Sequence, residues 1–192
     1  MPNTPFDTHI GIAAPMITDN IDTDQIIPSR EMKTVSKLGL AGGLFARQRY
    51  INARTPNPDF ILNHPTYKNA TIILTGKNFG CGSSREHAVW ALKDYGIRAI
   101  IAESFGEIFY GNCIRNGILP IIMDGKTIQN FGRDVHIDLI KQTVNDISFD
   151  IPEGDKNILV DGLDIIRMTL AHEAEIANFL EHDRIKRPWI YT

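Results

Sequence analysis

Cysteine is nearly absent from this chain. Its two thiols, Cys81 and Cys113, cannot build a disulfide framework, so a reducing cytoplasm is the expected setting. Nor can they supply the three or four thiolates that a cuboidal iron–sulfur cluster takes. No apolar run approaches the roughly 18 residues of a membrane span. The opening residues, MPNTPFDTHIG, have neither the basic start nor the apolar stretch of a signal peptide. Charge of one sign is missing as well. Lysine and arginine number 20 against 23 acidic side chains, and a formal net charge of −3 leaves no electrostatic footprint for nucleic acid. There is no internal repeat, low-complexity segment or flexible linker. What is present, 192 residues of which 43% are hydrophobic and 22% charged, suits one domain with a full core.

The middle of the chain has the clearest pattern. Thr71–Thr75, TIILT, is a β-branched run that predicts a buried strand. Ser84–Tyr95 predicts a helix with Ala88, Leu92 and Tyr95 on one face. Arg98–Ala102 predicts the next strand. Ser104–Arg115 predicts a second helix, with Phe105, Ile108 and Phe109 inward and Gly117 as its C-cap. Ile118–Met123 predicts a third strand. This alternation implies parallel strands joined by right-handed crossovers. Upstream, Ile10–Ile17 contains a proline and predicts a short or edge strand. Asp19–Arg30, DNIDTDQIIPSR, reads as a loop. Leu38–Tyr50 begins glycine-rich and ends in a short helix. Thr55–Pro65 carries Pro56, Pro58 and Pro65 and connects its neighbours. Downstream, Val135–Leu139, Thr143–Asn145 and Ile147–Ile151 predict an antiparallel meander. A helix is expected from Gly162 to His182, with Ile166, Leu170, Ala174 and Ala177 at helical spacing. The expected architecture is α/β, one domain over residues 1–192, with a parallel sheet and a second, antiparallel layer.

The stretch Asn78–Trp90, NFGCGSSREHAVW, carries the chemistry. Gly80 and Gly82 permit a tight turn. Two serines and an arginine then arrive where a helix should begin, and a helix start offers unpaired N–H groups and partial positive charge. Such a place can hold a hydroxyl as an oxyanion beside a substrate carboxylate. Ser83 and Glu86 also fit a capping box, Ser-x-x-Glu, so capping and catalysis both stand as readings of Ser83. Arg85 is open to two readings, a surface ion-pair partner or a guanidinium fork for a carboxylate. Glu86 and His87 read as structural. Cys81 as a nucleophile lacks an identifiable base and orienting group. The run is neither a G-x-S-x-G elbow nor a Walker loop. Asp22 and Asp24, in IDTDQIIP, either close a turn or orient an active-site group.

The run NFGCGSSREHAVWAL (Asn78–Leu92) resembles the swivelling domain of the aconitase superfamily. With IDTDQIIPSR (Ile21–Arg30), NPDFILN (Asn57–Asn63) and GNCIRNGILP (Gly111–Pro120), the chain is similar to the isopropylmalate dehydratase small-subunit family. The resemblance covers at least Ile10 to about Asp150. It implies a three-layer β/β/α swivelling fold. It implies a separate large subunit that carries a [4Fe–4S] cluster on three cysteines, an active site shared between the chains, and a small subunit inactive alone. By position, Ser83 matches the superfamily's catalytic serine, an alkoxide base. Ser84 and Arg85 match substrate-contacting residues that support the alkoxide. Asp24 matches an active-site carboxylate. Pro28–Thr34, PSREMKT, corresponds to the loop that distinguishes substrates, with Arg30 and Met32 as its readers.

The implied substrate is a small di-acid, and the implied reaction is dehydration and rehydration between 2-isopropylmalate and 3-isopropylmalate through 2-isopropylmaleate, in leucine biosynthesis. Three other readings remain open at this point. A related subunit would act on citraconate, methylmalate or homoaconitate. A non-catalytic module would hold an anion without turnover. A third would chiefly assemble other chains, with Glu181–Thr192 either docking a partner through Trp189 and Tyr191 or packing on its own domain.

Overall fold

The structure, a computed structural model, describes residues 3–32, 36–52, 54–82, 85–163, 165–170 and 172–191. In chain order its elements are β1 (Thr8–Met16), α1 (Thr23–Ile26), α2 (Ala46–Arg49), β2 (Tyr50–Ile51), β3 (Thr55–Pro56) and β4 (Ile72–Thr75). There follow α3 (Glu86–Tyr95), β5 (Ala99–Ala102), α4 (Glu107–Asn116), β6 (Leu119–Ile122) and α5 (Gly125–Gln129). The chain continues through β7 (Asp134–Asp138), β8 (Thr143–Val144), β9 (Ile147–Ser148), α6 (Glu153–Val160), α7 (Ile165–Leu170) and α8 (Glu173–Lys186). Seven strands form one sheet in the order β6-β5-β4-β1-β7-β8-β9, and β2 and β3 form a separate hairpin.

The parallel half follows from its residues. Every residue of β4 and β5 is buried, as expected of strands covered on both faces. Successive side chains point to opposite faces. Ile73, Ile100 and Ala102 therefore meet α3 and α4, through Ala88, Val89, Leu92, Phe109 and Cys113. Ile72, Leu74, Ala99, Ile101, Leu119 and Ile121 face the other way, onto Val135, Ile137 and Val144 of the antiparallel half. Helices, parallel strands and antiparallel strands thus make the three layers expected. The two sheets are joined, because β1 belongs to both.

That sharing corrects the expectation of an edge strand. β1 lies in the middle of the sheet. Thr8–Ile12 pair antiparallel with β7, from Thr8↔Asp138 to Ile12↔Asp134. Ala13–Met16 pair parallel with β4, from Ala13↔Ile72 to Met16↔Thr75. Pro15 falls in the second half, past the end of the β7 pairing, where its missing N–H removes no ladder bond on that side.

Other expectations need adjustment. Asp19–Arg30 is not wholly a loop: Asp22 caps α1 by accepting from the Gln25 N–H at 2.7 Å, and Ser29–Glu31 make a 3₁₀ turn. The first long helix begins at Glu86 rather than Ser84. In α4, Phe109 is buried but Ile108 is exposed, so the inward face is narrower than its sequence suggests. Gly117 does end α4, at φ 75°, with its N–H on the Cys113 and Ile114 carbonyls. The sequence pattern does not anticipate α5 and α6, and Thr55–Pro65, expected to connect without regular structure, holds β3 and a 3₁₀ turn at Ile61–Asn63. The expected Gly162–His182 helix is two helices, α7 and α8, and Ile166 and Leu170 are exposed rather than packed. Beyond α8, Trp189 is exposed, and Tyr191 is tied back to Asp183 by a 2.7 Å hydrogen bond.

Candidate active site

Three loops leave the carboxyl ends of parallel strands β1, β4 and β5 and meet there, the usual place for a ligand in an open α/β sheet. The loop after β4 is held from both sides by backbone bonds. On one side the Gly80 N–H donates to the Ile21 carbonyl at 2.7 Å, and the Thr23 N–H to the Cys81 carbonyl at 3.0 Å. On the other, the Phe79 N–H donates to the Ser104 carbonyl at 3.0 Å, and the Gly106 N–H to the Phe79 carbonyl at 2.9 Å. Side chains reinforce the join. Asn78 Nδ2 donates to Asn20 Oδ1 at 2.8 Å, and the Lys77 N–H to Asp19 Oδ1 at 2.7 Å.

Gly80 is required here for two separate reasons. Its φ is +72°, and a Cβ at this position would lie 2.1 Å from Cγ of the buried Phe109 ring. The turn therefore lies directly on the helical layer, and this close approach aims the chain toward the start of α3.

Arg85 is the N-cap residue of α3, with φ −89° and ψ 115°. The N-cap side chain makes no capping hydrogen bond, and Glu86, the described half of the expected capping box, is the first helical residue, its Oε1 accepting from Asn116 Nδ2 at 2.8 Å. Ser83 and Ser84 themselves lie outside the described residues.

The guanidinium of Arg85 reaches across to the β1 side. Its Nη1 donates to Asp24 Oδ1 at 2.5 Å and to Ser29 Oγ at 2.7 Å, and Ser29 Oγ donates to the same Asp24 oxygen at 3.3 Å. Asp24 and Arg85, 61 positions apart in the chain, are thus brought together. Both side chains are partly open to solvent, at 44% and 31%. A pair so exposed contributes about 0–1 kcal/mol at most, so a competing carboxylate can take its place. Asp22, the other acid of the motif, is spent on capping α1.

Arg30 does not join this cluster. Its Nε lies 3.4 Å from Glu31 Oε1, and its side chain is 68% exposed. With Glu31, Ala46, Tyr50, Asn52 and Arg54 it lines a neighbouring cleft of about 410 Å³. Met32 packs its side chain against the helical core. Of the substrate-loop segment Pro28–Thr34, residues 33 and 34 lie outside the described residues.

Ser29 is the residue that sequence reasoning missed. Only its place inside the loop pointed to it, and no spacing relates it to Arg85. Cys81 contributes its carbonyl, as described, and its side chain is partly buried. Cys113 is fully buried among apolar side chains, and burial pushes its thiol up, which disfavours the reactive thiolate. Among the described residues no group of three or more His, Cys, Asp or Glu could hold a metal ion, and no helix is long and apolar enough to cross a membrane.

The chain is similar to known proteins over nearly its whole length. A family model described as the aconitase C-terminal domain matches residues 3–126. The 3-isopropylmalate dehydratase small subunit of Cupriavidus necator is 49% identical, over 97% of this chain and 98% of its own. The protein of the same name from Agrobacterium fabrum is 46% identical, over 93% and 96% respectively. A crystal structure of a 3-isopropylmalate dehydratase from Methanocaldococcus jannaschii superposes with a TM-score of 0.69 at 32% identity, covering 89% of this chain and 98% of the other.

Proposed function

This chain belongs to the aconitase C-terminal domain family, and on that premise we propose that it is the small subunit of a 3-isopropylmalate dehydratase, a hydro-lyase of leucine biosynthesis. The observation that carries the reading is the Arg85–Asp24–Ser29 cluster beside the Gly80–Gly82 turn, in a chain that matches such small subunits over nearly its whole length. Residues 1–192 act as one swivelling unit that faces a large subunit.

In this reading Arg85 and Ser84 hold one carboxylate of the di-acid. Asp24 and Ser29 keep the Arg85 fork in place until substrate arrives, and substrate exchanges with Asp24 for part of that fork. Ser83, as its alkoxide, takes the proton from the carbon next to a carboxylate. The C–H electron pair becomes the C=C bond of 2-isopropylmaleate as the hydroxyl departs. Return of the hydroxyl to the carbon that gave up the proton, with Ser83 delivering its proton to the carbon that lost the hydroxyl, completes the isomerisation. A serine alkoxide needs stabilisation, and the unpaired N–H groups at the start of α3 together with Arg85 are the local source. Arg30 and Met32 border the side of the site where the isopropyl group is discriminated.

This chain's two cysteines, one of them fully buried, do not fit a cuboidal cluster, and the family resemblance assigns the [4Fe–4S] group to the large subunit. That cluster supplies the Lewis acid for the departing hydroxyl.

The test is anaerobic turnover of 2-isopropylmalate by this chain alone and mixed with a cluster-loaded large subunit. Activity is expected only in the mixture. An assembled, cluster-intact but inactive mixture overturns the isopropylmalate assignment, and a panel of citraconate, methylmalate and homoaconitate then identifies the substrate.

A further inference from the structure

We propose that Asn116 is a positioning residue that ties Lys37, just past the substrate loop, to the helix start bearing Arg85, an inference that rests on the function proposed above. Asn116 is the last residue of α4 and only 2% exposed. A buried carboxamide is costly unless its donors and acceptor are used. Here they are all used. Nδ2 donates to Glu86 Oε1 at 2.8 Å and to the Asn112 carbonyl at 2.9 Å. Oδ1 accepts from Trp90 Nε1 at 3.1 Å and from Lys37 Nζ at 3.2 Å. The Asn116 carbonyl accepts from Lys93 Nζ at 2.6 Å. Ending the helix does not require the Asn116 side chain, because the Cys113 and Ile114 carbonyls are met by the Gly117 N–H, and those of Arg115 and Asn116 by Asn3 Nδ2 and Lys93 Nζ.

The elements so joined explain why the amide is there. Glu86 opens α3 and adjoins Arg85. Arg85 holds Ser29, at the near end of the Pro28–Thr34 loop. Lys37 lies three positions past the far end of that loop. Two neighbouring residues of one helix start thus reach the chain on either side of the loop's outer part: Arg85 at Ser29 directly, and Glu86 through Asn116 to Lys37, beyond Thr34. The Lys37 ammonium also stands 5.3 Å over the Trp90 ring, a cation–π contact on the same anchor. The polarity of the chain is specific. An ammonium donates to the amide oxygen, and the amide nitrogen donates to a carboxylate. Only a side chain carrying both a donor and an acceptor fits between them.

The directionality gives the test. Asn116→Asp keeps the size and the acceptor but sets a carboxylate against Glu86. Adding Glu86→Gln restores a donor–acceptor pair in the reverse sense. On complexes with the cluster-loaded large subunit, kcat and KM for 2-isopropylmalate are measured. On the full small-subunit chain alone, tryptic cleavage after Arg30 and Lys37 is timed. N116D is expected to raise KM about tenfold, the equivalent of one charge-assisted hydrogen bond, with kcat nearly unchanged and faster cleavage. The Asn112 carbonyl loses its donor in both variants, so the double variant is expected to restore only the part of each loss that arises at Glu86. Unchanged KM and cleavage in N116D overturn the proposal, as does a loss that the double variant restores in no part. If N116D does not fold, Lys37→Met, on the exposed arm, carries the test through KM and cleavage after Arg30, and wild-type values in both overturn the proposal. A wild-type complex that does not turn over 2-isopropylmalate strikes the functional reading instead. The tryptic rates need no substrate and still decide the role of Asn116.

Discussion

Arg85 binds Asp24 and Ser29 through a single nitrogen, and on the proposed function the rest of its planar fork serves the substrate carboxylate. Arg85→Lys keeps the charge and loses the planar pair of donors. It is expected to lower kcat/KM on 2-isopropylmalate by roughly 10–100-fold, the cost of one charge-assisted hydrogen bond; unchanged kinetics would make Arg85 a structural residue. Ser83→Ala removes the proposed base and is expected to reduce kcat by about 10²–10⁴-fold, while co-purification with the large subunit persists. Gly80→Ala acts on stability. A left-handed alanine and a Cβ driven into Phe109 together cost about 2–4 kcal/mol, measurable by urea unfolding of the isolated chain. At this scale the sequence was partly legible. Asp24, Arg85 and the glycine turn lie in short motifs that point to chemistry by their residue types. Ser29 and Asn116 lie in quoted motifs too, but their roles do not show there, because the partners are 56 and 79 positions away and no local spacing records such a contact.

Elements buried on a well-defined face were the readable ones. Thr71–Thr75, Arg98–Ala102 and Ile118–Met123 each became a strand a residue or more shorter, and α3 and α4 lie where their apolar spacing puts them. β1 was misread because Pro15 was taken as the mark of an edge, whereas a strand that changes partner midway has an open side in each half. The C-terminal helix was misread in another way. Its apolar residues recur at helical spacing, yet the core has nothing for them to cover, and periodicity alone does not show whether a partner face exists. The end of α8 is held by polar bonds instead. Arg187 Nε at 2.6 Å and the Tyr191 hydroxyl at 2.7 Å both donate to Asp183. These bonds, that of Arg187 first, hold the Asp183 carboxyl below its ordinary range. The folded value is depressed, so this contribution is fully present above the unfolded carboxylate value of about 3.9 and is lost as pH falls through the lower folded value. Acidification is expected to free the 3₁₀ turn Pro188–Ile190 from α8, read by Trp189 fluorescence. Asp183→Asn should give the freed signal already at neutral pH; a spectrum identical to wild type would show that the turn is held by other contacts.

Taken as a whole, the molecule has two apolar cores, one on each face of the parallel strands; among the described residues none beyond Leu159 is buried in either, and Val160 packs against the second. Residues 173–191 are exposed apart from Asp183. Deletion of residues 173–192 is therefore expected to leave the thermal midpoint of the rest within about 4 °C, followed by circular dichroism. A larger fall would mean that α8 supports the cores. The three-layer plan was legible in the order of strand and helix patterns, whereas the fusion of both sheets through β1 was not, since register is a property of two segments at once. The distances along the chain that close the site also bear on how the protein is made. Asp24 must wait for Arg85, 61 residues later, and Lys37 for Asn116, 79 residues later. Helical turns form in about a microsecond, but these contacts cannot form before their second partner has been synthesised. At roughly 5–20 residues per second, the acidic Ile21–Arg30 stretch leaves the ribosome several seconds ahead of the residues that will hold it. A nascent chain that stops short of Asn116 carries Ile21–Arg30 and Asn78–Leu92 and still lacks the contact that, on our reading, anchors Lys37 beyond the loop.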